Sequence, residues 1–154
     1  MMELHGPVLV FGGPYSNLQA TRAVLAEANT RGIPPQNIIC MGDVVAYCAD
    51  PVATLDLVRQ AGIHCIMGNC EESLSAGAED CGCGFAPGTA CDRLSADWYA
   101  YADRVLGPEH RRFMGQMPKR LDVKINGVKL AVVHGGAKII NRFIFASTPE
   151  RVKT

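Results

Sequence analysis

Long apolar runs are missing from this sequence. No stretch approaches the roughly 20 apolar residues needed to cross a bilayer, so no membrane-spanning helix is expected. Runs of like charge are missing too: 15 Lys and Arg stand against 15 Asp and Glu, for a net charge of zero. Phosphate backbones are held by clustered cations, so a nucleic-acid backbone surface is not expected. Aromatic residues are scarce, at 6%, which leaves a mainly aliphatic core. Met1–Pro7 carries neither a basic segment nor a long apolar one, so no secretory signal is read and the expectation is a soluble, cytoplasmic chain. Internal repeats are absent.

What is present is a 154-residue chain with 48% hydrophobic residues. That is enough for one domain, taken as 1–154, with a core of its own. Seven cysteines is a high, odd count, so they cannot all pair with one another. Without an export signal they are expected reduced: as buried apolar residues, metal ligands or reactive thiols.

Three short apolar runs alternate with helical patterns. PVLVF (7–11) reads as a buried strand running into Gly12-Gly13-Pro14. Ser16 or Asn17 can cap a helix whose apolar face runs through Leu18, Thr21, Val24, Leu25 and Ala28. NIICM (37–41) is a second strand, leading into Gly42-Asp43. Asp50-Pro51 starts a second helix, and IHCIM (63–67) is a third strand, ending at Gly68-Asn69-Cys70. Strand and helix alternating in this way predicts an α/β fold with a parallel βαβαβ core. Sheets of this kind bind ligands at the carboxyl ends of their strands, where Gly13, Asp43 and Asn69 fall. Residues 70–92 read as a Cys- and Gly-rich irregular insertion. Ser95 reads as the cap of a helix over 96–106, followed by a short helix over 109–114. Asn126-Gly127 between two alternating runs predicts a hairpin over 121–133, whose second strand delivers His134-Gly135-Gly136. Thr148-Pro149 starts a helix that the chain does not complete, which suggests a longer parent chain.

Four pieces occur in one order, each after a strand-like run: FGGPYSNLQA (11–20), GDVVAY (42–47), GNCEE (68–72) and VVHGG (132–136). This series resembles the calcineurin-like metallophosphoesterases, whose motifs run D-x-H-G-N, G-D, G-N-H-[DE], H-G and G-H-x-H. The resemblance covers nearly the whole chain and implies their layered α/β fold, here ending before the last motif and the last strands. It implies metal-dependent hydrolysis of a small phosphorylated substrate, such as a nucleotide. By the same resemblance Asp43 matches the carboxylate that bridges two metals, Asn69 and His134 match ligands of the second metal, and Cys70 stands at the catalytic His position on the leaving-group side. Gly13 and Tyr15 replace the Asp and His that serve the first metal.

Glycine offers no donor, and a phenol is a poor ligand for a hard divalent ion. Asp43, Asn69 and His134 still make a three-ligand site with open positions, enough for a catalytic ion. The expectation is therefore a divalent ion (Mn, Fe, Zn or Mg) with reduced or altered phosphoesterase activity. Cys48, Cys70, Cys81, Cys83 and Cys91 offer a thiolate alternative, favouring zinc or iron. On that reading the chain is a catalytically inactive metal- or ligand-binding sensor. An unpaired sheet edge invites a second copy of the chain, giving a homo-oligomer.

Overall fold

The structure is a computed structural model, and residues 1–153 are described here. Two three-stranded sheets carry the α/β fold. The first contains β2 (Leu9–Phe11), β3 (Ile38–Cys40) and β4 (His64–Cys65), all parallel in the order β2-β3-β4. The second contains β1 (Met2–Leu4), β5 (Arg120–Ile125) and β6 (Val128–Val133) in the order β1-β5-β6. There β1 runs parallel to β5, and β5 and β6 form an antiparallel hairpin.

Period-two alternation along β3 explains why the sheets stack. Ile39 faces the second sheet and packs with Leu4 and Val123, while Cys40 belongs to the larger core on the helical side. That larger core draws Leu55 and Val58 from α2 (Pro51–Gln60), Leu74 from α3 (Asn69–Ala76), Trp98, Tyr99 and Ala102 from α4 (Ala90–Val105), and Met114 from α5 (Pro108–Gly115). Asn17 caps α1 (Leu18–Thr30) by accepting the Ala20 N–H at 2.9 Å. A short α6 spans Glu150–Lys153.

The hairpin turn follows its sequence signal. Asn126 and Gly127 have φ of 47° and 91°, the two left-handed residues that a tight hairpin of matching twist requires. β6 is an edge strand with Val128 and Leu130 exposed.

Several expectations need correction. α3 begins at Asn69 and α4 at Ala90, so the irregular segment is 77–89 and not 70–92. The α4 cap is Thr89, which accepts the Asp92 N–H at 3.2 Å, so Ser95 lies inside the helix. β1 had no apolar run to mark it: it is three residues long and exists because it pairs with β5, more than 100 residues along the chain. Among the described residues no helix is long and apolar enough to cross a membrane.

Candidate metal centre

The ends of β3 and β4 approach as closely as backbones can. Gly42, at φ 88°, lies against the Gly68 backbone, and a Cβ on either residue would run into the other strand's loop. That close approach puts Asp43 beside Asn69, the first residue of α3. Glu71 locks the arrangement. It is fully buried, and its two carboxylate oxygens accept the N–H groups of Asp43 (2.8 Å), Gly68 (2.9 Å) and Val45 (3.0 Å). Gly68 precedes the helix and Glu71 is its third residue, so the Gly68 bond is half of a capping box. Burial and the neighbouring Asp43 charge push Glu71 up to about 7, against the three donors that hold it down.

Asp43, Asn69 and His134 converge. His134 Nε2 lies 3.3 Å from Asp43 Oδ2 and 3.2 Å from Asn69 Oδ1. Its other nitrogen, Nδ1, is 2.7 Å from the Met41 carbonyl oxygen. A carbonyl only accepts, so Nδ1 carries a proton; Nε2 donates to the two oxygens when the ring is charged, and only the neutral ring would offer an Nε2 lone pair to an ion. Asn69 Nδ2 donates to the Cys81 carbonyl at 2.9 Å, which turns Oδ1 toward His134. Asp43 Oδ1 accepts the Cys70 N–H at 3.3 Å, at the start of α3, where a negative charge is favoured.

The donor chemistry fits a divalent ion: carboxylate oxygen, amide oxygen and imidazole nitrogen, with the imidazole oriented by a backbone carbonyl. Ligand atoms around an ion held at about 2.1 Å lie roughly 3–3.4 Å apart, the spacing of His134 Nε2 from each of the two oxygens. The set depends on the amide: among the described residues no three His, Cys, Asp or Glu side chains gather as a metal site. In the metal-free protein, burial opposes protonation of His134. The hydrogen bond and charge of Asp43 outweigh it, and His134 is pushed up to about 9.

Asn69 and His134 divide two cavities. One, of about 330 Å³, is walled by Asp43, Tyr15, Tyr47, Phe85, Arg142 and Phe143, among others. The other, of about 380 Å³, has Lys119 and Lys138 on its wall, with Lys119 ion-paired to Glu72. The chain after His134 folds back tightly, since a Cβ at Gly135 would meet the backbone of Ile140 and Arg142. This fold-back supplies Arg142 and Phe143.

Gly13 and Tyr15 sit on the same loop cluster, tied to the end of β3 by the Tyr15 N–H donating to the Asp43 carbonyl at 3.0 Å. The Tyr15 ring lies over Gly13, in the space that any side chain at 13 would need. Burial, then the charge of Asp43, raises its phenol above the ordinary value, so it stays a protonated donor.

The cysteines gather only in part: Asn69 Nδ2 lies 3.6 Å from both Cys70 Sγ and Cys83 Sγ, and among the described residues no three His, Cys, Asp or Glu side chains make a metal site. Cys70 is fully buried in the core and lines neither cavity, and burial, then Asp43 and Glu71, push its thiol far up. The resemblance set this residue on the leaving-group side; the structure places its thiol in the core beside Asp43, outside both cavities. Cys81 and Cys83 form a disulfide, with Cα atoms 5.3 Å apart, because Gly82 at φ 64° folds the chain back between them. Cys48 and Cys91 are exposed and unpaired. The expected thiolate site of Cys48, Cys70, Cys81, Cys83 and Cys91, and the expectation of uniformly reduced thiols, are therefore corrected. Glu71 was missed. Its signal was an acidic residue three positions after a glycine at a helix start, within a segment read as irregular.

Comparison with known proteins agrees with this architecture. The family model for calcineurin-like phosphoesterases matches residues 4–152. An uncharacterized protein of Methanocaldococcus jannaschii is 27% identical over 131 residues, which cover 85% of this chain and 50% of that protein. The chain thus spans about half the length of the curated relative it matches. Two solved structures share the fold. A metallophosphoesterase from Sphaerobacter thermophilus has a TM-score of 0.63 at 23% identity, covering 90% of this chain and 51% of that one. A hypothetical protein from Pyrococcus horikoshii has a TM-score of 0.66 at 18% identity, covering 92% and 60%.

Proposed function

The chain belongs to the calcineurin-like phosphoesterases, and from that premise we propose that it hydrolyses small phosphate esters, nucleotides among them, with a single divalent ion held by Asp43, Asn69 and His134. The observation that carries this is the convergence of two side-chain oxygens, Asp43 Oδ2 at 3.3 Å and Asn69 Oδ1 at 3.2 Å, on His134 Nε2. When bound, such an ion supplies Lewis acidity: it acidifies a water and takes up charge on a phosphate oxygen.

The chain's own groups set the geometry. Met41 holds the His134 ring in one tautomer, Cys81 holds the Asn69 amide, and the Cys70 N–H holds Asp43. Glu71 acts through the backbone of Asp43 and is a positioning residue. Tyr15, kept protonated, offers an O–H toward a phosphate oxygen where the family has a metal-binding His. One phenol donor neutralises less charge than a second cation, so turnover below that of a two-metal member is expected. The cysteine-based sensor has less support, because Cys81 and Cys83 are bonded to each other and Cys70 is in the core.

The test is to load the protein with manganese, measure bound metal by elemental analysis and assay a generic phosphodiester and phosphomonoester. About one ion per chain, with hydrolysis lost in His134→Ala, supports the proposal. Full turnover in His134→Ala would refute it.

A further inference from the structure

Apart from Asn126 in the hairpin turn, the residues other than glycine held at positive φ are Tyr15 (52°), Ser16 (55°), Asp43 (52°) and Tyr47 (42°), among the described residues. Side chains with a Cβ resist this region, and such residues collect where a site requires them. Two of the four have an evident reason: Asp43 belongs to the converging triad, and Ser16 Oγ accepts the Ala46 N–H at 3.1 Å.

Tyr15 has one at the backbone, where its N–H donates to the Asp43 carbonyl at 3.0 Å and its carbonyl accepts the Cys48 N–H at 3.1 Å, but the side chains of Tyr15 and Tyr47 have none. Their hydroxyls have no hydrogen-bond partner among the described residues, and they are 39% and 49% exposed. Their rings lie 5.0 Å apart at 54°, and Trp98 supports Tyr47 edge-on at 5.5 Å. Both rings line the cavity that holds Asp43, Asn69 and His134, with Phe85 and Phe143 also on its wall. Arg142 lies on the same wall, and its guanidinium has no carboxylate partner among the described residues. Strained backbone thus presents two aromatic rings and an uncommitted cation beside the candidate metal centre.

We propose that the Tyr15–Tyr47 face binds a planar aromatic ring in the organic half of the substrate, so that the preferred substrates are phosphate esters carrying a nucleobase or a simple aryl group. This rests on the phosphoesterase reading for the position of the phosphate, but not for the ring contact itself. A ring laid against Tyr47 extends the series of packed rings through Trp98 to Tyr99. Offset or edge contacts between rings are favourable, and base-on-ring stacking tolerates any base. Arg142 is placed to meet negative charge on the same ligand.

Trp98 is the sole tryptophan and touches Tyr47, so its fluorescence reports the ring site without metal or turnover. The metal-free protein is titrated with adenosine, adenosine monophosphate, phenyl phosphate and ribose 5-phosphate. A saturable change with adenosine and adenosine monophosphate, absent with ribose 5-phosphate, is expected. Tyr47→Asn removes the ring but suits the left-handed backbone, and it should weaken adenosine monophosphate about fivefold or more, the scale of one base-on-ring contact. Tyr47→Phe should bind within about twofold of the native protein. A phenyl phosphate response equal to that of adenosine monophosphate assigns the face to aryl rings generally, and a response to adenosine compounds alone assigns it to nucleobases. Ribose 5-phosphate binding as tightly as adenosine monophosphate, no saturable response to adenosine compounds, or an inert Tyr47→Asn overturns the proposal. If adenosine binds and no ester is hydrolysed with metal, the phosphoesterase reading fails and the ring site stands. If all esters are hydrolysed alike and adenosine does not bind, the ring site fails and the phosphoesterase reading stands.

Discussion

The backbone N–H of Asp43 donates to the Glu71 carboxylate at 2.8 Å, and this bond ties the loop after β3 to the first turn of α3. The same Glu71 oxygen accepts the Gly68 N–H at 2.9 Å, so one buried atom spans the two strand ends that carry Asp43 and Asn69.

Glu71→Gln is expected to destabilise the fold. Both native oxygens accept, so an amide turns an N–H₂ toward at least one buried N–H and leaves it unsatisfied, at about 1–3 kcal/mol. Glu71→Ala, which strands three donors, should cost more. Denaturant unfolding measures both, and an unchanged midpoint for Glu71→Gln would show that the brace is dispensable.

Stability of the metal-free protein should depend on pH through His134. Its folded value of about 9 lies above the ordinary 6.5, so the folded state binds the extra proton. The stabilisation is complete below about 6.5 and is lost as pH rises through about 9. In a chelator, the melting temperature should therefore fall across that window, and Asp43→Asn should flatten the slope. A slope of equal size in Asp43→Asn would remove the pairing as its cause.

The Cys81–Cys83 segment orients a proposed ligand, because Asn69 Nδ2 donates to the Cys81 carbonyl. Reduction with a dithiol, or Cys83→Ser, should weaken metal binding about 10- to 100-fold, the usual effect of losing a group that orients a ligand. Calorimetric titration with manganese before and after reduction tests this, and identical affinities would dissociate the disulfide from the site.

Metal stoichiometry should respond to position 13 only with help from position 15. Gly13→Asp alone places its side chain into the Tyr15 ring, so it should strain the loop and leave about one ion per chain. Gly13→Asp with Tyr15→His removes the obstruction and adds two donors suited to a hard ion, and a second ion is expected by elemental analysis. A second ion in the Gly13→Asp variant alone would show that the ring moves aside freely.

Much of the fold was legible from local pattern. The apolar runs ending at Phe11, Met41 and Met67 mark the three parallel strands, and Asn126-Gly127 marks the hairpin, because period, punctuation and turn chemistry are properties of neighbouring residues. α3 was hidden because Gly-Asn-Cys at its start reads as a turn, while its stability comes from Glu71 and from Leu74 in the core. α4 begins a turn and a half before Ser95 because Thr89 finds the Asp92 N–H first.

By itself the sequence determined the α/β class, the family, and the order in which Asp43, Asn69 and His134 are delivered by strand ends, since each follows from a short run of adjacent residues. Only the tertiary structure decided which side chains share a space. It set His134 against two oxygens, buried Cys70 away from both cavities, bonded Cys81 to Cys83, and turned the Tyr15 ring over Gly13. The first two outcomes depend on contacts between residues far apart in the chain, and the last two on left-handed backbone at Gly82 and Tyr15, and neither spacing nor composition encodes them.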